Sequence, residues 1–375
     1  MKNNTLGFIF SENPEVNLGE LTSFRSLAAV PVGGRYRIID FVLSNMVNSG
    51  IINVGIATGF NNQSLSDHLG SGKDWDMSRK DNGLFILPPP DADITNDRIA
   101  GGIDYIFRAV NYLKRSHQEY VLVSDCNTIC NIDYDEVMDF HLEKEADITV
   151  ICTKAGKLTS NDLKRNILID ADSSGRVSDI QIYPSVQKLD NSYMHMFLIA
   201  KELLINLVGD CAAHNRHSIS KDILLANIKN LKICSYEFSG YKKKIDSIAS
   251  FFEFNLDLLK KDVRDELFGD DSDAIYTKVK DTVPTRYGTD CDIDNSFIAD
   301  GCTIEGSVDS CIIFRGVRIG KGAKVKNSII MQDSEIMDNC TVENAIFDKE
   351  VILRKDKKII GQDTYPVVIG KKTIV

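Results

Sequence analysis

The last ~85 residues carry a hydrophobic repeat of 17 residues, an interval that neither an α-helix nor a flat sheet produces. Ile312, Ile329 and Ile346 form one series, and Ile313, Ile330 and Phe347 a second. Ile319, Ile336 and Leu353 form a third, while Val325 pairs with Val342. A left-handed parallel β-helix generates this interval, with three short strands of about six residues per coil and one turn position trimmed. Each inward aliphatic then stacks on its equivalent in the next coil, and the Gly, Asn and Asp between them supply corners. The spacing loosens before Ile312: Phe297 to Ile313 is 16 residues, which reads as an end coil.

The first ~260 residues follow another rule. Short apolar runs alternate with helical patterns, the sign of βαβ units and a mostly parallel sheet in an α/β, Rossmann-like domain. Leu6–Phe10, Asn53–Ala57, Tyr120–Ser124 and Asp147–Cys152 read as buried strands. Arg35–Gly50 places apolar residues at 38, 39, 42, 43, 46 and 47, an amphipathic helix that Gly50 stops. Ser247–Lys260 reads as a second helix. The acidic run from Asp262 to Asp281 and the extended stretch Thr282–Arg286 read as a connection. The expected organisation is therefore residues 1–260, a linker at 261–290, and the β-helix at 291–375.

Two domains suit a chain of 375 residues. No stretch approaches the roughly 20 apolar residues of a membrane span, and Met1–Leu6 carries no signal-peptide cleavage pattern. Nine scattered Cys read as free thiols in a reducing cytoplasm. A net charge of −10 argues against a nucleic-acid surface. All six His (68, 117, 141, 195, 214 and 217) precede the repeats, so a histidine-based acyltransferase is not expected of the β-helix. A structural or assembly role is.

Several longer matches fall in order along the chain. They are Val30–Phe41 (VPVGGRYRIIDF), Leu43-Ser44-Asn45, Asn48-Ser49-Gly50-Ile51, Gly70–Asp76 (GSGKDWD), Ser220–Ile223 (SKDI) and Phe314–Gly322 (FRGVRIGKG). Together they resemble the ADP-glucose pyrophosphorylase, or glucose-1-phosphate adenylyltransferase, family across both domains. The resemblance implies a sugar nucleotidyltransferase domain followed by the β-helix. It also implies a Mg²⁺-dependent reaction of ATP with glucose 1-phosphate, giving ADP-glucose and pyrophosphate for glycogen synthesis. Such a catalyst must neutralise a triphosphate, hold Mg²⁺ and position the incoming phosphate.

At the positions where the family keeps that machinery, this chain departs from it. The family's glycine-rich phosphate loop falls on Glu12–Leu18, where Glu12, Asn13, Glu15 and Asn17 replace glycines and an arginine and Pro14 removes an amide donor. Two like unit charges ~5 Å apart repel by roughly 3 kcal/mol at an effective dielectric of 20, so acids there oppose a triphosphate. A nucleotide-contacting lysine falls on Leu27. One metal carboxylate falls on Asn127 and the second on Lys244, an ammonium where a hard cation needs oxygen donors. The sugar-phosphate lysine falls on Tyr183. Asp125 and Asp246, each two residues from a lost ligand, are the fallback metal ligands of an active enzyme with a shifted site.

With the scaffold kept and the chemistry absent, the chain resembles the degenerate GlgD-type branch found in Firmicutes beside a catalytic GlgC-type paralogue. That resemblance implies a regulatory subunit in a hetero-oligomer, a tetramer in this family, with no catalytic residues and no cofactor of its own. A third reading is a module that senses a sugar phosphate or nucleotide. By position, Arg25, Arg35, Arg37 and Arg315 are its effector-binding candidates, and scaffold salt bridges are the alternative for each. Cys126 and Cys130 lack a second pair for a zinc site and read as packing thiols. Trp75 reads as ordering a loop, and His214 and His217 as polar loop residues.

Overall fold

The structure, a computed structural model, describes residues 4–13, 16–79, 81–89, 101–269 and 273–375. The chain divides into two compact units, one of residues 1–12, 42–60 and 70–240 and one of residues 13–41, 61–69 and 241–375. The stretch read as a linker holds a helix, Lys261–Phe268, and at its end Arg286–Tyr287, which already pairs with Thr303–Ile304 as a coil strand.

The first unit is built on a nine-stranded sheet. Its strands in chain order are β1 (Thr5–Phe10), β2 (Asn53–Ala57), β3 (Gly83–Leu87), β4 (Tyr120–Asp125), β5 (Ile148–Lys154), β6 (Ile167–Ala171), β7 (Val177–Ile182), β8 (Asn191–Ala200) and β9 (Ile233–Glu237). The path runs β7-β6-β8-β4-β1-β2-β3, with β5 paired to both β8 and β9. β3, β2, β1 and β4 are mutually parallel, as are β5 and β9, and the long strand β8 runs antiparallel between these two sets. Every residue of β1 and β2 is buried, as continuous apolar strands of a parallel sheet require. One face packs Leu6, Phe8, Val121, Val123, Val150 and Phe197 into a single core. Phe10 of β1 lies in register with Asp125 of β4, so both strands end at the same carboxyl edge, where open α/β sheets receive ligands.

The amphipathic stripe of Arg35–Gly50 becomes the helix Ile38–Asn48, and Gly50 takes φ 74° just beyond it.

The second unit is dominated by a left-handed parallel β-helix of three five-stranded sheets. Ile312, Ile329 and Ile346 pair in register, as do Ile313, Ile330 and Phe347, and Ile319, Ile336 and Leu353. Its corners recur as columns of left-handed backbone: Ser310, Asn327 and Asn344 form one, and Gly316, Asp333 and Glu350 another. The loosened spacing before Ile312 is not an end effect. Phe297 pairs with Ile312 and not with Ile313, because the corner between Thr303–Ile304 and Ser307–Asp309 has only two residues, Glu305 and Gly306. The next corner, between Arg318–Ile319 and Lys324–Lys326, spans residues 320–323.

Segments from early in the chain complete this unit through long-range bonds. The buried Arg25 guanidinium donates to both oxygens of buried Asp348, at 2.9 and 2.8 Å. Gly33 N–H donates to Oδ1 of Asn255 at 2.9 Å, and Asn255 is buried on the helix Ile248–Asp257. Ser247 caps that helix by accepting from Ser250 N–H.

Candidate functional site

In the first unit, the chain leaving β1 carries Glu12 at the carboxyl edge of the sheet. Its carboxylate lies over Gly59, just beyond β2, so closely that a β-carbon added at Gly59 would collide with it. Burial raises the Glu12 pKa. Asp125 ends β4 on the same edge. The thiol of fully buried Cys126 is pushed well up by burial first, and then by the charges of Asp125 and Glu12. Tyr105 is raised likewise, by burial and then by Glu12 and Asp104. This is an electronegative edge, the opposite of a phosphate cradle.

Beside Asp125 stands His195, with Nδ1 3.6 Å from the carboxylate and its ring stacked on Tyr193 at 5.1 Å. His195 adopts φ 57° where the β8 register shifts between Tyr193 and Phe197, a conformation that side chains seldom tolerate. Nothing in the sequence singled it out, because a histidine inside an apolar strand does not announce a bulge. Asn127 is fully buried two residues beyond Asp125. Tyr183 follows β7 at φ 50° and is 36% exposed.

The remaining degenerate positions lie in the second unit, apart from Glu15, which falls outside the described residues together with Pro14. Asn13 accepts from Val16 N–H through its backbone carbonyl. The Asn17 side chain closes its own turn by accepting from Gly19 N–H at 2.7 Å. Leu27 is a core residue, 4% exposed. Lys244 is half-buried at the end of the strand Lys242–Lys244. Asp246, the other fallback ligand, accepts from the Ser250 hydroxyl at 3.2 Å and so helps hold the start of a helix. Among the described residues, no three His, Cys, Asp or Glu side chains converge in a way that could hold a metal ion.

A second feature of this unit is a cavity of about 400 Å³ lined by Arg35, Arg37, Arg315, Lys278, Lys280 and Lys349, with Asp67 and Asp333 as its acids. Three of the four arginines singled out in the sequence meet here. Arg25 does not line it, being held in the ion pair with Asp348, and is a scaffold residue. Arg37 Nη1 donates to the carbonyl and hydroxyl of Ser64, at 2.6 and 3.0 Å. Burial, with Arg25 among its neighbours, brings Arg37 down to about 10. Arg315 is lowered by burial and then by Arg35. Lys278 Nζ donates to the Asp67 carbonyl at 2.5 Å, and His68 is paired with buried Asp40 at 2.6 Å. Among the described residues, Arg315 Nε and Gln332 Oε1 are buried on this wall without a hydrogen-bond partner. The lysines were missed in the sequence, although Lys278 and Lys280 alternate along an extended stretch and so share a face.

Residues 17–261 match the nucleotidyl transferase family, and residues 280–366 match the GlmU-like, C-terminal hexapeptide family. The glycogen biosynthesis protein GlgD of Geobacillus stearothermophilus is 38% identical over 87% of this chain and 84% of its own length. GlgD of Bacillus subtilis (strain 168) is 34% identical, covering 98% and 96%. A glucose-1-phosphate adenylyltransferase of Clostridium perfringens (strain SM101 / Type A) is 31% identical, covering 100% and 96%.

Proposed function

Because this chain belongs to the nucleotidyl transferase family, in the group that holds GlgD and the glucose-1-phosphate adenylyltransferases, we propose that it is a non-catalytic regulatory subunit acting in glycogen biosynthesis. In this reading it assembles with a catalytic paralogue as a hetero-oligomer in the cytoplasm and alters the paralogue's turnover. The observation that carries it is the Glu12 carboxylate seated over Gly59 at the carboxyl edge of β1. Adenylyl transfer requires an electropositive cradle there, so that the triphosphate binds and the α-phosphorus accepts the sugar phosphate. A half-buried acid on the same sheet edge as Asp125 raises the cost of bringing any polyphosphate to that edge. Mg²⁺ would ordinarily supply Lewis-acid neutralisation of the phosphates. The residues present fit it poorly, since Asp125 faces His195 and Asp246 serves a helix cap. An inactive subunit acts on its partner only by favouring one of the partner's states, which the kept scaffold permits. Nine free cysteines, eight of them buried, agree with a reducing compartment.

Equilibrium titration of the purified chain with Mg²⁺-ATP tests this reading. No Mg²⁺-dependent saturation that is sensitive to Asp125→Asn is expected up to millimolar nucleotide. Micromolar, Mg²⁺-dependent saturation that disappears in Asp125→Asn would instead favour an active enzyme with a shifted metal site.

The cationic cavity supports a second role alongside the first, in which the subunit senses a small anion. Six basic side chains face two carboxylates there, and a buried donor and a buried acceptor on its wall are left without partners.

A further inference from the structure

The trimmed corner at Glu305-Gly306 interrupts an otherwise regular edge of the β-helix. Every other corner on that edge spans four residues, 288–291, 320–323, 337–340 and 354–357. The second coil therefore steps back between two full corners. A cleft of about 500 Å³ opens there, lined by Arg286, Tyr287, Asp290, Glu305, Lys321 and Lys324. That volume lies within the roughly 300–1,000 Å³ of small-molecule sites. The cleft shares no lining residue with the cationic cavity. Its charges are also arranged differently from those on the rest of the solenoid. Further along, acids and bases pair across coils, as Lys326 does with Asp309 at 3.6 Å and Lys355 with Asp338 at 2.7 Å. Among the described residues, no ion pair or hydrogen bond joins an acid of this cleft to one of its bases.

We propose that this cleft binds an uncharged saccharide of the α-glucan class. The choice of a glucan rests on the role in glycogen biosynthesis, whereas the fit to a neutral polyol rests on the cleft itself. Each sugar hydroxyl both donates and accepts a hydrogen bond. The Asp290 and Glu305 carboxylates accept from such hydroxyls, and Arg286, Lys321 and Lys324 donate to them, all as charge-assisted bonds. Tyr287, 53% exposed, offers an aromatic face to the C–H side of a pyranose ring. A phosphate ester entering here meets two carboxylates, and a metal ion meets three bases. An uncharged polyol uses both sets of groups and is repelled by neither. Such a site holds the subunit at the polymer whose synthesis it serves, whether or not the chain is catalytic.

Calorimetric titration of the full chain with maltotetraose, an uncharged α-1,4-linked glucan fragment, tests the site. Saturable binding in the millimolar range is expected, and added sulfate is expected to leave it unchanged. Glu305→Gln keeps the side-chain shape and removes a charged acceptor, so it is expected to bind about tenfold more weakly. Tyr287→Ala removes the aromatic face and is expected to lose about fivefold. Both variants are expected to keep the wild-type midpoint in urea, which separates lost binding from lost folding. If both variants bind maltotetraose as the wild type does, the saccharide sits elsewhere on the chain and the proposal is overturned. Displacement of maltotetraose by sulfate, with tighter sulfate binding in Glu305→Gln, would make the cleft an anion site and overturn it as well. No binding by the wild type also overturns it, while the regulatory reading, which the nucleotide titration tests, stands unaffected.

Discussion

Arg25, Arg35, Arg37 and Arg315 are alike as letters, and tertiary contacts alone give them different work. Arg25 and Asp348 lie 323 residues apart, and no local pattern encodes their meeting. Both are buried, so removing one partner strands a charge, whereas the other three arginines face a cavity. Arg25→Met is expected to lower the unfolding free energy by about 3–5 kcal/mol in urea denaturation. A change below about 1 kcal/mol would show that the pair is dispensable. Glu12 shows the same limit of sequence reading from the other side. Its charge was plain from the chain, but its seat over Gly59 depends on how the ends of β1 and β2 converge.

Among the elements, the β-helix was the most legible, because each inward side chain stacks on its equivalent one coil later and the sequence must repeat what the geometry repeats. Irregular coils break that rule and were misread. The two-residue corner at Glu305-Gly306 shifted the pairing of Phe297, and a period search cannot distinguish a trimmed corner from an end coil. The shortened corner brings Gly306 against backbone: a β-carbon there would press on the carbonyl oxygens of Ala323 and Gly320. Neither oxygen belongs to a flexible side chain that could swing away. Gly306→Ala is therefore expected to destabilise the chain by roughly 2–3 kcal/mol, read as a lowered denaturation midpoint with an unchanged slope. A neutral result would mean that the coil adjusts freely. The βαβ strands were also readable, since buried parallel strands are continuous apolar runs, but nothing in β8 marked it as antiparallel or bulged at His195.

For the molecule as a whole, sequence order and spatial grouping part company. A boundary near residue 260 follows the change in hydrophobic period, yet residues 13–41 and 61–69 group with 241–375. Bonds such as Gly33 to Asn255 make that grouping, and each end of such a bond looks ordinary in its own segment. The degenerate positions are consequently divided between the two units: Glu12, Asn127 and Tyr183 in one, Asn13, Asn17, Leu27 and Lys244 in the other. On the proposed reading, replacement of these positions in both units, with both scaffolds retained, is what a subunit selected for assembly rather than turnover would show. The decisive assay is ADP-glucose formation from ATP, glucose 1-phosphate and Mg²⁺, run with the purified chain alone and then co-assembled with a catalytic paralogue at fixed catalytic-subunit concentration. No product from the chain alone, and a changed turnover of the paralogue in the mixture, is the expected result. Mg²⁺-dependent turnover by the isolated chain at a rate comparable to the paralogue's would contradict it.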